Sequence, residues 1–371
     1  MNFDFSDDLK LLRDQARKFL HERCPPAAVR RILEGPEPYD KALWAEIAAM
    51  GWTGAAVPEE YGGAGLGHLG LCVLAEELGS VLAPLPFSSS VYLASEALIA
   101  DGSEAQKKTW LPKLASGEAI GTFAVAEGPG KADPRKLRTA FRNGSLSGEK
   151  LPVPDGDFAD VAIVAAQTDR GVALTLVDLG ARGVTRSAIE TIDPSRSHAR
   201  IVFEGAPAEL LGSPGSGETL LRRVQDRAAV LFAFEQVGGA QRSLEMARDY
   251  ALERYAFGRP IGSFQAIKHK LADVYVATEL ARSNAYYGAW ALARNAPELP
   301  LAAAAARVSA NDAFFLAAKE NIQVHGGMGF TWAFDCHLYY RRAKLLSLTL
   351  GSSRVWKDRL VSQLEAANAP M

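Results

Sequence analysis

Three cysteines in 371 residues, Cys24, Cys72 and Cys336, are too few and too scattered for a disulfide framework, and none stands in the CxxC spacing of a thiolate zinc site. Their scarcity suits a reducing cytoplasm. Charge of one sign is lacking as well: 41 Lys and Arg stand against 43 Asp and Glu, a formal net charge of -2. No excess of cations remains to neutralise a phosphate backbone, which argues against nucleic acid as a partner. Long apolar runs are absent. No stretch reaches about 18 uninterrupted apolar residues, and the first eight residues lack the basic and then apolar order of a leader. Neither a membrane span nor an export signal is expected.

What is present is 48% hydrophobic residues in a chain long enough for two or three domains with substantial cores. Behind Ser6, Asp7 and Asp8, which suit a helix start, Leu9, Leu12, Ala16 and Phe19 fall at helical spacing. Helical patterning recurs over 41–50, 69–82, 90–101 and 103–116, separated by turn clusters, so residues 1–118 read as an N-terminal helical domain. The period then changes. Segments 121–127, 138–142, 145–150, 161–166 and 173–177 are short and rich in Val, Ala, Thr or Phe, and Asn143-Gly144 is a strong hairpin signal. Residues 119–212 are expected to form a small antiparallel β domain. Past the Gly- and Ser-rich stretch 212–217, long helices return over 219–251, 264–294, 300–324 and 337–367, the last broken near Gly351. Residues 213–371 thus read as a four-helix bundle, giving an α+β fold that is mainly α. Several of these helices are apolar on more than one side, so a face of the bundle is expected to be buried against another subunit.

Two stretches of the last segment are specific: Ala251-Leu252-Glu253-Arg254-Tyr255-Ala256-Phe257-Gly258-Arg259-Pro260-Ile261-Gly262-Ser263-Phe264-Gln265 and Gln323-Val324-His325-Gly326-Gly327-Met328-Gly329-Phe330. Singly, their residues have ordinary readings. Gly326-Gly327-Met328-Gly329 also reads as a helix stop, Arg254 as a solvated helix residue, Phe257 as a core aromatic and Gln265 as a cap neighbour. Jointly, with Pro58-Glu59-Glu60-Tyr61-Gly62-Gly63-Ala64-Gly65, the domain order and the length, they make the whole chain resemble the acyl-CoA dehydrogenase family.

That resemblance implies FAD lying between subunits. Arg254, Phe257 and Gln265 would hold its pyrophosphate and adenine, and Gln323, Gly326 and Gly327 would meet the same cofactor. Arg offers phosphate a rigid fork of donors, and Gly lets backbone amides approach an anion closely. The resemblance also implies a carboxylate that takes the α-proton of an acyl-CoA thioester. In most members this is a Glu before a Gly near the chain end, a position that falls here on Leu350. In some it lies on the first long bundle helix, at the position of Ala228 here. Neither residue accepts a proton. Glu127, Asp226 and Glu235 are the remaining carboxylate candidates, although Asp226, two residues from 228, is turned about 200° around the helix.

The β domain departs from the family pattern too. Ala126-Glu127-Gly128-Pro129-Gly130-Lys131-Ala132-Asp133-Pro134 lacks the hydroxyls of the loop that meets flavin and thioester, and 151–156 lacks the Trp and Thr that back the flavin ring. The chain therefore resembles the subunit lacking the catalytic Glu in heterotetrameric acyl-CoA dehydrogenases of bacterial sterol side-chain degradation. Such a subunit implies a homologous Glu-bearing partner in a dimer or tetramer, an acyl-CoA substrate and an electron-transfer flavoprotein as electron acceptor. Two alternatives stay open: a homo-oligomeric enzyme with a relocated base, and a flavin-free scaffold. His337 receives no role.

Overall fold

The computed structural model describes residues 5–130 and 132–367. In chain order it has helices α1 (Asp7–Arg23), α2 (Pro26–Glu34), α3 (Lys41–Ala49) and α4 (Gly67–Ser80), a π-helical stretch (Ser88–Ser95), α5 (Glu96–Asp101) and α6 (Glu104–Ala115). Strands β1 (Gly121–Ala124), β2 (Ala140–Arg142), β3 (Ser145–Pro154), β4 (Val161–Thr168), β5 (Gly171–Asp178), β6 (Val184–Ile189), β7 (His198–Pro207) and β8 (Glu209–Leu211) follow. The chain continues with α7 (Gly217–Glu253), a small hairpin of β9 (Tyr255–Ala256) and β10 (Arg259–Pro260), α8 (Gln265–Ala293), α9 (Leu299–His325), α10 (Cys336–Leu346) and α11 (Ser353–Ala367). Among the described residues no helix is long and apolar enough to cross a membrane.

These elements form two compact bodies. Among the described residues, one takes 5–29, 72–83 and 229–367, and the other takes 30–71, 84–130 and 132–228. This division cuts across the boundaries expected at 118/119 and 212/213, because α1 and most of α4 pack with the C-terminal helices. The physical reason is a bare crossing of α4 on α7. A Cβ on Gly79 would lie 2.0 Å from the Glu235 carbonyl oxygen, and one on Gly238 would lie 1.9 Å from that of Glu76. Backbone contact this close admits only glycine on either side. Ion pairs reinforce it: Arg17 donates twice to the Glu77 carboxylate, at 3.0 and 2.8 Å, and Arg282 pairs with Glu76.

The rest of this helical body is built on small residues. Ala281, Ala285 and Ala289 of α8 and Ala302, Ala303, Ala306 and Ala310 of α9 are buried, so the Ala run at 302–306 is a packing surface as well as a good helix former. The final helical segment breaks where the sequence places the break. Leu350 and Gly351 take φ of 62° and 101° between α10 and α11.

The other body holds one sheet in the order β6-β7-β3-β2-β4-β5-β8, with β1 added on β4. Asn143 and Gly144 turn the β2–β3 hairpin with φ of 51° and 76°, the left-handed pair of a type I′ turn. The sheet is not wholly antiparallel. β1 runs parallel to β4, as does β2 through a single pair, Ala140 with Gln167. The intervening β2–β3 hairpin gives β1 the long crossover that a parallel partner needs. Helix 90–101 also resolves differently, as eight buried π-helical residues followed by α5.

Glu96, at the head of α5, is fully buried. His68 Nε2 lies 2.7 Å from one of its oxygens, and Arg227 Nε donates to the other at 2.6 Å. Burial alone would raise its pKa; His68 and Arg227 more than offset this and bring it down from 4.5 to about 2.

Two predictions follow from these contacts. Gly238→Ala puts a methyl into the Glu76 backbone and should cost about 3 kcal/mol or more in chemical denaturation. Gly327→Ala, whose Cβ would meet nothing within 4 Å, should stay within about 0.5 kcal/mol of the parent. Because the folded pKa of Glu96 lies below its unfolded value, its stabilisation is complete above roughly pH 4.5 and is lost as pH falls toward 2. Glu96→Gln should therefore cost about 3 kcal/mol near pH 7, and the gap to the parent should narrow steadily below pH 4.5. A gap that stays constant with pH would mean that the folded carboxylate is not held ionised.

Candidate functional site

At the end of α7 the chain doubles back. Tyr255 and Ala256 pair with Pro260 and Arg259, and the Ile261 amide donates to the Arg254 carbonyl at 2.7 Å. Phe257 and Gly258 form the tip with φ of 54° and 77°, again a type I′ pair. Glycine takes this conformation freely, whereas a phenylalanine there is strained by about 1 kcal/mol. The Phe257 ring is also 95% exposed, touching Phe264 edge-on at 6.3 Å. That exposure forgoes roughly 2 kcal/mol of burial. A residue placed twice against its preference points to a surface that a ligand or partner covers.

α8 begins directly after this loop, with Gln265 as its first residue and no side-chain cap from Phe264. The Phe264 carbonyl accepts from the Ile267 and Lys268 amides, both at 3.1 Å, which leaves the Gln265 and Ala266 amides of this 29-residue helix to an outside acceptor. The end of α9 arrives at the same place. Val324 packs in one buried cluster with Ala247 and Ala251 of α7, flanked by Tyr250, Ile261, Ile267 and Leu271. The His325 ring stacks on Tyr250 at 4.1 Å. Gly326 takes φ 62° and ψ -142°, a combination reserved for glycine. A Cβ on Gly326 or Gly327 would meet nothing within 4 Å, so this turn lies open.

The structure thus brings all six predicted contacts, Arg254, Phe257, Gln265, Gln323, Gly326 and Gly327, to one end of the helical body, and all six are exposed. The side chains of Arg254, Gln265 and Gln323 make no hydrogen bond or ion pair among the described residues. An unengaged guanidinium, uncapped helix amides, an open glycine turn and an exposed ring suit a ligand with both anionic and aromatic parts, and a dinucleotide is such a ligand. Among the described residues no cluster of His, Cys, Asp and Glu could hold a metal ion.

The two family base positions, Leu350 and Ala228, carry no ionisable group. Leu350 sits in a turn whose carbonyls are clamped from inside. Buried Arg307 donates to the Leu346 and Thr349 carbonyls, the second at 2.7 Å, and the Trp356 indole donates to the Leu350 carbonyl at 3.2 Å. Burial pushes the Arg307 pKa down to about 9, and Glu235 acts in the opposite sense. Ala228 is fully buried within α7.

The three candidate carboxylates are held in place. Asp226 is buried on α7, and Glu235, 1% exposed, lies 3.7 Å from the Arg342 guanidinium. Glu127 accepts from the Arg138 amide at 2.7 Å, the Thr139 amide at 2.9 Å and the buried Lys150 ammonium at 2.9 Å. Burial would raise Glu127, but these donors bring it down to about 2. A carboxylate so held is a weak proton acceptor.

Sequence reasoning did not single out Tyr250 and His325, whose stack ties the two motifs together. A signal existed in the helical register: Tyr250 lies one turn before Arg254, and His325 lies within the second motif. His337 stands edge-on to Trp332 at 4.6 Å, an aromatic contact that suits a structural residue.

Comparison with known proteins shows the family and the fold. Residues 6–118 match the acyl-CoA dehydrogenase N-terminal domain, and residues 215–364 match the acyl-CoA dehydrogenase C-terminal domain. The acyl-CoA dehydrogenase IpdE2 of Mycobacterium tuberculosis is 34% identical over 359 residues, covering 96% of this chain and 98% of that protein. Among solved structures, a chain of the ChsE4-ChsE5 complex from Mycobacterium tuberculosis superposes with a TM-score of 0.90 at 29% identity, over 100% of both chains. A chain of the Tcur3481-Tcur3483 steroid ACAD gives 0.89 at 30%, over 98% of this chain and 99% of that one. The chain belongs to the acyl-CoA dehydrogenase family of oxidoreductases.

Proposed function

We propose that this chain is a subunit of an FAD-dependent acyl-CoA dehydrogenase that works with an unlike, homologous partner. In this reading the chain supplies half of each cofactor site, and the partner supplies the catalytic Glu and the substrate pocket. The observation that carries the reading is an asymmetry. All six residues expected to hold the dinucleotide lie exposed together at one end of the helical body, while both family base positions carry aliphatic side chains, Leu350 and Ala228. Glu127, with its pKa near 2 and three donors on its oxygens, lends no support to a base relocated there.

Bound FAD supplies the acceptor for the hydride that leaves the β-carbon of the acyl thioester. This chain's own residues bind and orient. Arg254 and the Gln265 and Ala266 amides of α8 would hold the pyrophosphate, Phe257 would meet the adenine, and Gln265, Gln323 and the Gly326-Gly327 turn would contact the same cofactor. The α-proton goes to the partner's carboxylate. The relatives include the ChsE4-ChsE5 complex and a steroid ACAD of two named chains, which supports unlike subunits and a steroid or other bulky lipid acyl-CoA as substrate. An electron-transfer flavoprotein would take the electrons onward, and the net charge and low cysteine content suit work in the cytoplasm.

The deciding measurement is the visible spectrum and the FAD-to-protein ratio of the chain, purified alone and after co-expression with a Glu-bearing relative. Flavin is expected only in the mixed assembly, at one per pair of unlike subunits. A chain that binds one flavin by itself and bleaches with an acyl-CoA would replace this reading with a homo-oligomeric enzyme. A mixed assembly that stays colourless would leave a scaffold. In a yellow mixed assembly, Arg254→Ala removes a charge-assisted contact and should weaken FAD binding by about 10- to 100-fold. Phe257→Ala should weaken it by about fivefold without lowering the melting temperature, because its ring buries almost nothing within the chain.

A further inference from the structure

Two polar side chains deep in the helical body are incompletely bonded. Arg307 and Asn311 lie one turn apart on α9, 0% and 3% exposed. Arg307 Nη1 donates to the Gln236 amide oxygen of α7 at 2.5 Å, and Nη2 donates to the Leu346 and Thr349 carbonyls. The Gln236 amide nitrogen in turn donates to Asn311 Oδ1 at 2.6 Å. Arg307 Nε and Asn311 Nδ2 are also buried, and neither has a hydrogen-bond partner among the described residues.

The two nitrogens belong together. Each shares a planar group with an atom bonded to the Gln236 amide, so both stand beside that amide. Both carry N–H and neither accepts. The nearest buried residues along α9, Ala303, Ala304 and Ala310, bring no side-chain polar atom to them. Phe232 offers Arg307 only its ring, 5.4 Å from the guanidinium. A buried donor left unpaired is costly, so an acceptor from outside the chain is called for.

Charge decides which acceptor. Among the described residues Glu235 is the one carboxylate that acts on Arg307, and the same Glu235 lies 3.7 Å from the buried Arg342 guanidinium. One carboxylate thus serves two buried cations. Burial lowers the Arg307 pKa to about 9, which still leaves it protonated at pH 7. A water molecule could take both N–H bonds, but it would leave the charge uncovered and would need acceptors for its own two protons. A monovalent anion takes both bonds and the charge.

We propose that the helical body holds a buried monovalent anion, chloride under ordinary conditions, between Arg307 Nε and Asn311 Nδ2. The site uses none of the residues assigned to FAD and is independent of that reading. The anion joins α7 and α9 to the turn that Arg307 holds at Leu346 and Thr349.

The test compares the full chain, in the assembly in which it purifies, in potassium chloride, bromide and gluconate at equal ionic strength, so that screening is constant and only the anion changes. Gluconate, too large for the interior, is the control. An anion bound only to the folded state stabilises it in proportion to occupancy, so the melting temperature should rise with chloride or bromide and stay flat with gluconate. Asn311→Asp keeps the oxygen that Gln236 needs and builds a negative charge into the site. It should melt above the parent in gluconate and lose the halide dependence. Crystals grown in bromide should show an anomalous peak within hydrogen-bond reach of both nitrogens. A water with no anomalous signal at that place, or a parent whose melting ignores halide, overturns the proposal. So does a halide dependence that Asn311→Asp leaves unchanged, which would make the halide an adventitious ion only.

Discussion

The close crossing of α4 on α7 is the constraint on which the functional end of the helical body depends. At Gly79 and Gly238 the two backbones touch with no side chain between them, and on another face of α7 a Cβ at Gly239 would come within 2.4 Å of the Phe314 ring of α9. Three helices are thereby fixed in register over a few residues. From Gly238 to Arg254 the chain advances about 24 Å of stiff helix, so registration at the crossing carries through to the loop that bears Arg254 and Phe257. At that far end Ala247 and Ala251 meet Val324 of α9, and Tyr250 meets His325. Two motifs distant in sequence become one surface because a single helix spans both contacts.

Charge is distributed in two distinct ways. Inside each body the ions are spent on structure: Glu76 and Glu77 on Arg282 and Arg17, Glu96 on His68 and Arg227, Glu127 on Lys150. Glu96 and Glu127, each held by cations or backbone amides, are stabilised in the ionised form, the reverse of the raised pKa that a general base beside a thioester needs. At the exposed end of the helical body the polar groups are unengaged. Among the described residues that surface leaves the side chains of Arg254, Gln265 and Gln323 without a hydrogen bond or ion pair.

Much of this organisation was legible in the sequence. The long helical periods, the Asn143-Gly144 turn and the break at Gly351 all appear in the fold because each depends on local backbone preference. β6, β7 and β8 were not legible. Val184–Ile189 exposes its polar residues and draws its stability from pairing along its length with β7, a long-range contact that leaves little periodicity. The parallel pairing of β1 on β4 was hidden for the same reason. The two-body division escaped the linear reading because glycines on a helix look like weak helix formers until the helix that crosses them is known. At the site, the six residues were readable as a joint pattern. The Phe257-Gly258 turn was not, since phenylalanine is not a residue that announces a left-handed conformation.

Phe257 and Leu350 are both non-glycine residues with φ near 60°, and the contrast between them bears on function. At Leu350 the strain is met from within: Arg307 and Trp356 hold the carbonyls around it, and the turn joins two helices that need the connection. Nothing beyond the fold is required to account for it, whatever side chain stands there. At Phe257 no such return exists within the chain. The hairpin of β9 and β10 is two residues long on each side, the ring is almost wholly exposed, and the same turn would form with less strain and less exposed apolar surface if the residue were Asn. The chain therefore holds Phe257 at a net local loss of free energy. Of the two family elements, the turn that would carry the base is sustained by contacts within the chain, whereas the loop that would hold the cofactor leaves its Phe257 ring exposed and its backbone strained.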